Sequence, residues 1–405
     1  MHLRCSNPDC AATLELHDRA LACPVCGDLL EVMADNVKNT PAELKRTWLK
    51  RRTSYAPLDA SGVWRFREFL PNCYSEIVTM SEGNNPLVRG RRTAEWAGVR
   101  NLHFKHLGWN PTACFKDLGM TVGMTEAVYV GAKSVACAST GNTSGSLAAY
   151  AARAGLTAKV YLPAGQVSQN KLAQALDFGA EVVQVDGNFD LALERMLHAP
   201  DGDLYFLNSI NPFRLEGQKM AMFEMMEQFG WEAPDYVIVP GGNLGNSSAF
   251  GKAFVELQAA GLLDKLPRLV VVQAEGANPF AQLWRSGSAE LAPVEQPETA
   301  ATAIRIGNPR SWKKALRAVQ HTDGFVMDVT DEEIAEAKAM IGRDGIGCEP
   351  ASATTLAALR KLTARGKIDR DAVVVAILTG HALKDTDFII KSQRLEHALQ
   401  GELHA

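Results

Sequence analysis

The stretch Gly108–Ser146, GWNPTACFKDLGMTVGMTEAVYVGAKSVACASTGNTSGS, sets one lysine among small and apolar residues and ends in a loop crowded with hydroxyls and amides. Lys116 precedes a helical pattern, residues 134–138 are typical of a short buried strand, and a helix is predicted over 147–154. A lysine at a loop-to-helix junction is near backbone N–H groups and partly desolvated, which lowers the pKa of its amine towards a nucleophilic range. A Gly/Ser/Thr loop between a strand and a helix suits an anion or a carboxylate. A lone lysine of this kind is usually solvated, so the adjoining loop is what favours a functional role.

Apolar strand patterns and helical patterns alternate along the rest of the chain. Further strands are predicted over residues 159–162, 181–185, 203–208, 236–240, 269–273 and 373–378, and a further helix over 171–178. Near-continuous apolar strands separated by helices indicate parallel sheets, so the predicted class is α/β.

Two motifs carry a resemblance to a known family. NPTACFKD (110–117) resembles the NPTGSFKD box of threonine synthases, and ASTGNTSGSLAAYAARAG (138–155) is similar to the asparagine loop of that family. The resemblance implies a pyridoxal-phosphate (PLP) enzyme of fold type II, with Lys116 carrying the cofactor as a Schiff base. The implied fold is two doubly wound α/β domains with the cofactor in the cleft, plus a small N-terminal four-cysteine zinc-ribbon-like module.

The domain boundaries expected on this basis are discontinuous. The zinc-ribbon-like module would span 1–35, and the large PLP-binding domain would combine 36–111 with 207–390. The small α/β domain would span 112–206, and a C-terminal tail would follow from 391 to 405.

The hexapeptide GGNLGN (241–246) lies between a predicted strand and a predicted helix. Glycines allow successive backbone N–H groups to converge on an anion, and the helix adds its positive end. Taken alone, such a hexapeptide is equally compatible with a simple tight turn. It resembles the loop that holds the 5′-phosphate of the cofactor in threonine synthases.

Arg214 follows Asn208 and Ser209 at the exit of a predicted strand, where a planar guanidinium suits a phosphate ester. The segment 208–219 resembles the family motif NS-NP-R-EGQK. The substrate-binding residues implied by the resemblance are Ser139, Thr140, Thr143, Asn208, Ser209 and Arg214. The implied cofactor-binding residues are Lys116, Asn142, Gly242, Asn243, Leu244, Gly245, Asn246 and Thr379, with Asn142 on the 3′-oxygen and Thr379 facing the ring nitrogen. Lys116 is also the implied catalytic residue, moving protons at the substrate Cα and Cβ.

Two separate phosphate sites would suit O-phospho-L-homoserine. The implied reaction converts this substrate and water to L-threonine and phosphate, by γ-elimination and β-addition. A β-replacement enzyme acting on O-phosphoserine, similar to cysteate synthase, differs by one methylene in its substrate, and this alternative stays open. A serine or threonine dehydratase needs no substrate-phosphate site, which counts against that reading.

The chain departs from the family pattern at four positions. Ala113-Cys114 replaces the usual Gly-Ser, Leu118 replaces a common arginine, and Asn85 stands at the threonine position of EGNTPLV. These changes are compatible with retuning within one site or with another phosphorylated amino acid as substrate. His381 is a candidate base, although a packed or hydrogen-bonded histidine is the commoner case.

Four cysteines near the N-terminus form two close pairs, Cys5 with Cys10 and Cys23 with Cys26. Four thiolates at this spacing can close a tetrahedral shell around zinc, whereas a metal-free cysteine-rich knob is the alternative. A similar four-cysteine knob occurs in some threonine synthases, which implies a structural zinc.

Composition narrows the function classes. The chain has 405 residues, enough for two or three domains, and its 46% hydrophobic and 22% charged residues are ordinary for a soluble globular protein. A net charge of −4 without a basic stripe argues against nucleic-acid binding, and no apolar run of about 18 residues predicts a membrane span. The start MHLRCSNPDC lacks the apolar segment of a secretory signal, so we expect a cytoplasmic protein. We also expect a homodimer that acts on a small phosphorylated amino acid.

Overall fold

The structure is a computed structural model that describes residues 1–34, 37–139, 141–164, 169–186, 195–196 and 203–392. Contacts divide the chain into two compact units. Unit 1 comprises Met1–Asn85, Asn110–Glu232 and Ser248–Lys265, and unit 2 comprises Pro86–Trp109, Ala233–Ser247 and the described residues from Leu266 onward.

Strands and helices alternate as the patterns predict. The strands are β1 (His2–Cys5), β2 (Thr13–Leu14), β3 (Leu30–Met33), β4 (Leu87–Arg89), β5 (Asn101–His106), β6 (Ser134–Ala138), β7 (Thr157–Pro163), β8 (Glu181–Val185), β9 (Leu204–Phe206), β10 (Tyr236–Pro240), β11 (Arg268–Ala274), β12 (Phe325–Val329) and β13 (Val373–Leu378). The helices are α1 (Pro41–Arg51), α2 (Pro57–Ala60), α3 (Arg92–Ala97), α4 (Lys116–Tyr129), α5 (Asn142–Ala154), α6 (Gln169–Asp177), α7 (Pro212–Gln228), α8 (Gly245–Ala259), α9 (Pro279–Ser286), α10 (Trp312–His321), α11 (Asp331–Arg343), α12 (Pro350–Ala364) and α13 (Thr386–Ser392). Short 3₁₀ helices occur at Trp64–Phe69, Glu275–Ala277, Thr302–Ile304 and Ala382–Lys384.

Unit 1 contains a parallel sheet in the order β8-β7-β6-β9. Its central strand β6 is buried along its whole length, because helices must cover both faces of a parallel sheet. Apolar side chains of α4 and α5, such as Met120, Met124, Leu147 and Tyr150, pack on this sheet to form the core of the unit.

Helices α4 and α7 of unit 1 approach each other closely at glycines. A Cβ on Gly217 of α7 would lie 1.8 Å from the carbonyl oxygen of Leu118, and a Cβ on Gly119 of α4 would lie 2.7 Å from the carbonyl oxygen of Arg214. Only hydrogen fits at these contacts, so glycine lets the two backbones nearly touch. This contact groups residues 207–232 with unit 1. The expected large PLP-binding domain, 36–111 with 207–390, stays a prediction about domain organisation, and the contact-based units divide the chain at other residues.

The N-terminal module is a small antiparallel sheet in the order β2-β1-β3. It packs on the helices of unit 1 through polar contacts. The ring Nδ1 of His17 lies 3.0 Å from a carboxylate oxygen of Glu126 on α4, and Lys252 on α8 donates a hydrogen bond to the carbonyl oxygen of Val32 in β3. Because Glu126 is buried and also accepts a hydrogen bond from Tyr74, its carboxylate acts as a docking point for the module.

Unit 2 is built on a six-stranded sheet in the order β12-β11-β10-β13-β5-β4, in which only the pairing of β4 with β5 is antiparallel. Strands β10 and β13 are parallel neighbours. Their carboxyl ends deliver residues 241–246 and Thr379 to the same edge of the sheet, the edge at which open α/β sheets bind ligands. In the described ranges, no helix is both long and apolar enough to cross a membrane.

Candidate active site

Lys116 is the first residue of α4 and is half-buried, with its Nζ 4.2 Å from the centroid of the Phe115 ring. The next residue, Asp117, is fully buried and accepts hydrogen bonds from the backbone N–H of Thr112 (2.7 Å), the hydroxyl of Thr112 (2.6 Å) and the hydroxyl of Ser146 (2.6 Å). Burial raises the pKa of Asp117 to about 6, although these hydrogen bonds oppose the shift. Asp117 thus fastens the loop before Lys116 to α5 and fixes the direction in which α4 begins.

The loop before Lys116 contains a strained residue. Ala113 has a φ of 62°, in the left-handed region that residues with a Cβ rarely adopt. The usual glycine of the family box would adopt this conformation without strain. The departure at Ala113 therefore costs backbone energy, whereas Cys114 is simply buried, with its Sγ 3.6 Å from the Thr112 hydroxyl.

Arg214 lies in the first turn of α7 and is completely buried. Its backbone N–H donates to the side chain of Asn211 (3.2 Å), and its Nη1 donates to the carbonyl oxygen of Leu207 (3.0 Å). Among the described residues, no acceptor is bound to its Nε or Nη2. Burial lowers the pKa of Arg214 well below its ordinary value, to about 10. A buried guanidinium with two unused donors is costly unless an anion completes its hydrogen bonds, so this site fits a phosphate.

Two glycines of α4 make room for this arginine. A Cβ on Gly123 would lie 3.0 Å from the Cγ of Arg214 and 2.6 Å from a methyl carbon of Leu207. Gly119, one turn earlier, faces the backbone of Arg214. The helix that begins with Lys116 therefore also holds Arg214 in place.

Several predicted site residues of unit 1 come together around the end of β6. Arg214 and Lys116 both act electrostatically on the buried thiol of Cys137 in β6, opposing the burial that raises its pKa to about 12. The Asn208 side chain accepts a hydrogen bond from the backbone of Ala138 (3.1 Å), which joins the exits of β9 and β6.

The loop after β6 leads directly into α5. Ser139 accepts a hydrogen bond from the N–H of Gly141 (3.3 Å), and Asn142 and Thr143 begin α5. Ser209 follows β9 beside Asn208 and is half-buried. Thr140, also expected to bind substrate, lies outside the described residues.

In unit 2, the turn over residues 241–246 combines a strained backbone with hydrogen-bond donors. Leu244 is buried with a φ of 64°, and a Cβ on Gly242 would lie 3.3 Å from Ile304. Helix α8 starts at Gly245, so its first N–H groups have no partners within the helix. Across the described chain, the buried hydroxyl of Ser247 in this first turn has no hydrogen-bond partner. Backbone N–H groups and a spare hydroxyl, without a carboxylate, form a donor set that suits a phosphate.

Thr379 at the end of β13 is oriented by two buried neighbours that sequence reasoning did not assign. Its hydroxyl donates to Oε1 of Glu349 (2.8 Å) and lies 3.0 Å from the hydroxyl of Ser352, which also accepts from the backbone N–H of Thr379 (2.8 Å). Because the Thr379 hydroxyl donates its hydrogen bond to Glu349, its oxygen keeps a lone pair that can accept a hydrogen bond. The signal that could have identified Glu349 from the sequence is its position immediately before α12, as the N-cap of that helix. Nearby His381 accepts from the N–H of Leu383 (3.2 Å), in line with the hydrogen-bonded interpretation.

Two further departures from the family pattern are buried. Leu118 is 2% exposed and faces the α4–α7 contact through its backbone, and Asn85 is completely buried, with its Oδ1 3.2 Å from the Asn110 amide nitrogen. Both therefore act through packing and hydrogen bonding inside unit 1.

The four cysteines of the N-terminal module converge, as their spacing predicts. Their sulfur atoms all lie within 4.8 Å of one another, with 3.4 Å between Cys5 and Cys26 and 3.7 Å between Cys10 and Cys23. A tetrahedral zinc shell with Zn–S bonds of about 2.3 Å has edges of about 3.8 Å. The sulfur arrangement is therefore the size that zinc requires.

Comparison with known families and proteins gives a consistent result. The family described as "Pyridoxal-phosphate dependent enzyme" matches residues 78–380. A threonine synthase of Methanocaldococcus jannaschii is 47% identical over 388 residues, covering 95% of this chain and 93% of that protein. Threonine synthases of Methanosarcina acetivorans (45% over 392 residues, 96% and 93% covered) and Mycobacterium tuberculosis (45% over 317 residues, 78% and 85% covered) are also similar.

Solved structures support the same fold. A processed threonine deaminase isoform 2 from Solanum lycopersicum superposes with a TM-score of 0.66 at 20% identity, covering 94% of this chain and 95% of that one. A fungal L-serine ammonia-lyase from Rhizomucor miehei gives a TM-score of 0.67 at 18% identity, covering 79% and 99%. At these identities the likeness concerns the fold.

Proposed function

Since this chain belongs to the threonine synthase family of pyridoxal-phosphate-dependent enzymes, we propose that it converts O-phospho-L-homoserine and water to L-threonine and phosphate. It is a PLP-dependent carbon–oxygen lyase acting on a phosphate ester. The expected class of substrate, a small phosphorylated amino acid, follows from the same relatives.

The observation that carries the proposal is the buried guanidinium of Arg214. Within the described residues its Nε and Nη2 have no acceptor, and burial lowers its pKa to about 10. A phosphate dianion would accept from both atoms in a bidentate pair and would offset the cost of burying the charge. Serine and threonine, the substrates of a dehydratase, carry no phosphate ester that would use these donors.

The residues present fit the cofactor. The turn Gly242–Asn246 would hold its 5′-phosphate with backbone N–H groups, Asn142 would bind its 3′-oxygen, and the lone pair of Thr379 would face its ring nitrogen. When bound through Lys116, pyridoxal phosphate supplies an electron sink for negative charge that develops on the substrate.

The remaining chemistry belongs to the side chains of this chain. The reaction removes protons at Cα and Cβ, releases phosphate from Cγ, places a proton on Cγ, adds water at Cβ and returns a proton to Cα. The Nζ of Lys116 would move the protons at Cα and Cβ, since it lies at the start of a helix locked by Asp117. Arg214, with Ser139, Thr143, Asn208 and Ser209, would hold the phosphate while the Cγ–O bond breaks and would bind the leaving dianion.

The four-cysteine module would hold one structural zinc. Four sulfur ligands fill a tetrahedral shell, so the metal would keep no open position for catalysis. Its role would be to hold β1 and β3 together, and with them the contacts of His17 and Val32 with unit 1. The expected homodimer and cytoplasmic location remain predictions, which light scattering and cell fractionation would test.

The decisive experiment measures phosphate release from O-phosphohomoserine and from O-phosphoserine by the cofactor-loaded enzyme. We expect release from phosphohomoserine with L-threonine as the product. Release from phosphoserine alone would replace the proposal with the β-replacement alternative.

The role of Lys116 is tested separately. Lys116→Ala should abolish turnover and the visible absorbance of covalently held cofactor, whereas Lys133→Ala, a control in the same unit, should leave both unchanged. Turnover retained by Lys116→Ala would show that another group moves the protons.

A further inference from the structure

A cavity of about 1010 Å³ lies at the β4 edge of the unit 2 sheet. It is formed by β4, by the start and end of α3, and by the turns before β5 and β13. Four arginines line it, Arg89, Arg91, Arg100 and Arg370, together with Val88, Ala94 and Val99. The volume is at the upper end of the range for small-molecule sites, and the lining is dominated by charged side chains, which suits an anionic ligand.

The lining of this cavity carries a net positive charge, with four arginines against two carboxylates. Among the described residues, no hydrogen bond or ion pair involves the guanidinium of Arg89, Arg91 or Arg370, while Arg100 pairs with Asp371 at 2.5 Å. Two acidic residues, Glu95 and Asp344, also line the cavity.

The carboxylate of Asp344 is hydrogen-bonded to backbone and side-chain groups at the start of α3. Its carboxylate accepts from the backbone N–H groups of Arg91 (2.9 Å), Arg92 (2.9 Å) and Thr93 (3.1 Å) and from the hydroxyl of Thr93 (2.5 Å). The cavity therefore keeps three guanidinium groups available to an anion.

The cavity is separate from the candidate catalytic residues of unit 2. Strands β5 and β13 run in parallel with Asn101 opposite Val373, and the backbone N–H of Arg100 donates to the carbonyl oxygen of Arg370 (2.9 Å) just before the two strands begin. The cavity thus lies at the amino ends of these strands, whereas Thr379 follows the carboxyl end of β13. Six residues at about 3.3 Å each put roughly 20 Å between the two ends.

We propose that this cavity is a second ligand site, which binds a small phosphorylated molecule carrying two or more negative charges. Each guanidinium group can donate two hydrogen bonds to phosphate oxygens, so three such groups suit a dianion or a more highly charged anion. The surface of Val88, Ala94 and Val99 would contact the apolar part of the ligand. A ligand held here lies too far from Thr379 to take part in the reaction, so it would act as an effector of the enzyme.

The test uses inorganic pyrophosphate as the probe and isothermal titration calorimetry on the full-length, cofactor-loaded enzyme, with the phosphate site at Arg214 fitted as a separate site that all variants share. The double variant Arg89→Ser/Arg370→Ser removes two exposed guanidinium groups from the cavity. The matched control Arg365→Ser removes an equally exposed arginine of unit 2 that does not line it. We expect the double variant to bind pyrophosphate at least about tenfold more weakly than the wild type, and the control to bind as the wild type does.

A second variant, Arg91→Glu, reverses one charge in the cavity and should weaken binding at least as much. Absence of pyrophosphate binding by the wild type would overturn the proposal. Equal affinity in the wild type and both cavity variants would overturn it as well. If Arg365→Ser loses as much affinity for pyrophosphate as the double variant, the probe is attracted to surface arginines in general, and the proposed site is refuted.

Discussion

Replacing Arg214 with methionine should stabilise the unliganded protein and at the same time weaken its use of substrate. The guanidinium is completely buried, and burial lowers its pKa by more than two units from its ordinary value, to about 10. At 1.36 kcal/mol per pKa unit, folding disfavours the charged form by about 3 kcal/mol. Because the folded-state pKa is lowered for a cation, this penalty is present throughout the range below about pH 10, including pH 7, and declines as the pH rises further.

Methionine fills similar space without a charge, so we expect the free energy of unfolding at pH 7 to rise by about 1–3 kcal/mol in urea denaturation of the unliganded enzyme. The same change removes the donors proposed for the substrate phosphate. Loss of such a buried charged partner costs about 2–4 kcal/mol, so kcat/KM should fall about 30- to 1000-fold while bound cofactor stays at the wild-type level.

Arg65→Met provides the matched control. Arg65 is also buried, but its Nη1 pairs with both carboxylate oxygens of Glu227 at 2.7 and 2.8 Å. Removing Arg65 leaves the carboxylate of Glu227 without this partner, so the free energy of unfolding should fall by about 3 kcal/mol. Added inorganic phosphate should raise the Tm of Arg214→Met by less than it raises the Tm of the wild type and of Arg65→Met, because the arginine cavity of unit 2 can still bind an anion in all three. A loss of stability in Arg214→Met equal to that of the control, or an unchanged response to phosphate, would refute the reasoning.

Four other changes have defined outcomes. Gly123→Ala places a methyl against the phosphate-site arginine and should lower kcat/KM about 10- to 100-fold through KM, whereas Gly342→Ala, which meets open space, should leave the kinetics unchanged. Ala113→Gly relieves a left-handed backbone and should raise the free energy of unfolding by up to about 1 kcal/mol; a decrease would contradict the strain. Cys26→Ser should reduce bound zinc, measured by atomic absorption, from one per chain to well below one, and undiminished zinc would rule out the proposed ligand set. The folded-state pKa of Asp117 is raised from 3.8 to about 6. Its contribution to the free energy of unfolding is therefore complete below about pH 4 and declines by about 3 kcal/mol as the pH rises through 6. Asp117→Asn should flatten this part of the plot of unfolding free energy against pH, measured by urea denaturation.

Local patterns in the sequence were sufficient for the elements and for the order of the motifs. The strands predicted over 181–185, 236–240 and 373–378 have those bounds in the structure, because each is a short apolar run closed by glycine, proline or polar residues. The helix expected from residue 147 begins earlier, at Asn142, since small polar residues are well suited to a first helical turn even though they interrupt the apolar pattern. The four-cysteine cluster could also be predicted from the sequence, because the spacing of the ligands is a local property.

What tertiary structure decided is the environment of each side chain. No local pattern separates Arg214, which is buried with unused donors, from Arg65, which is buried with a partner 162 residues away. The glycine contacts of α4 with α7, the hold of Glu349 on Thr379 and the arginine cavity of unit 2 likewise join segments that are far apart in the chain. Desolvation and hydrogen-bond completion depend on what packs around a group, and that is known only once distant segments meet. The sequence by itself therefore determined the class of fold and the candidate residues, and the three-dimensional packing decided which charges are buried and what they contact.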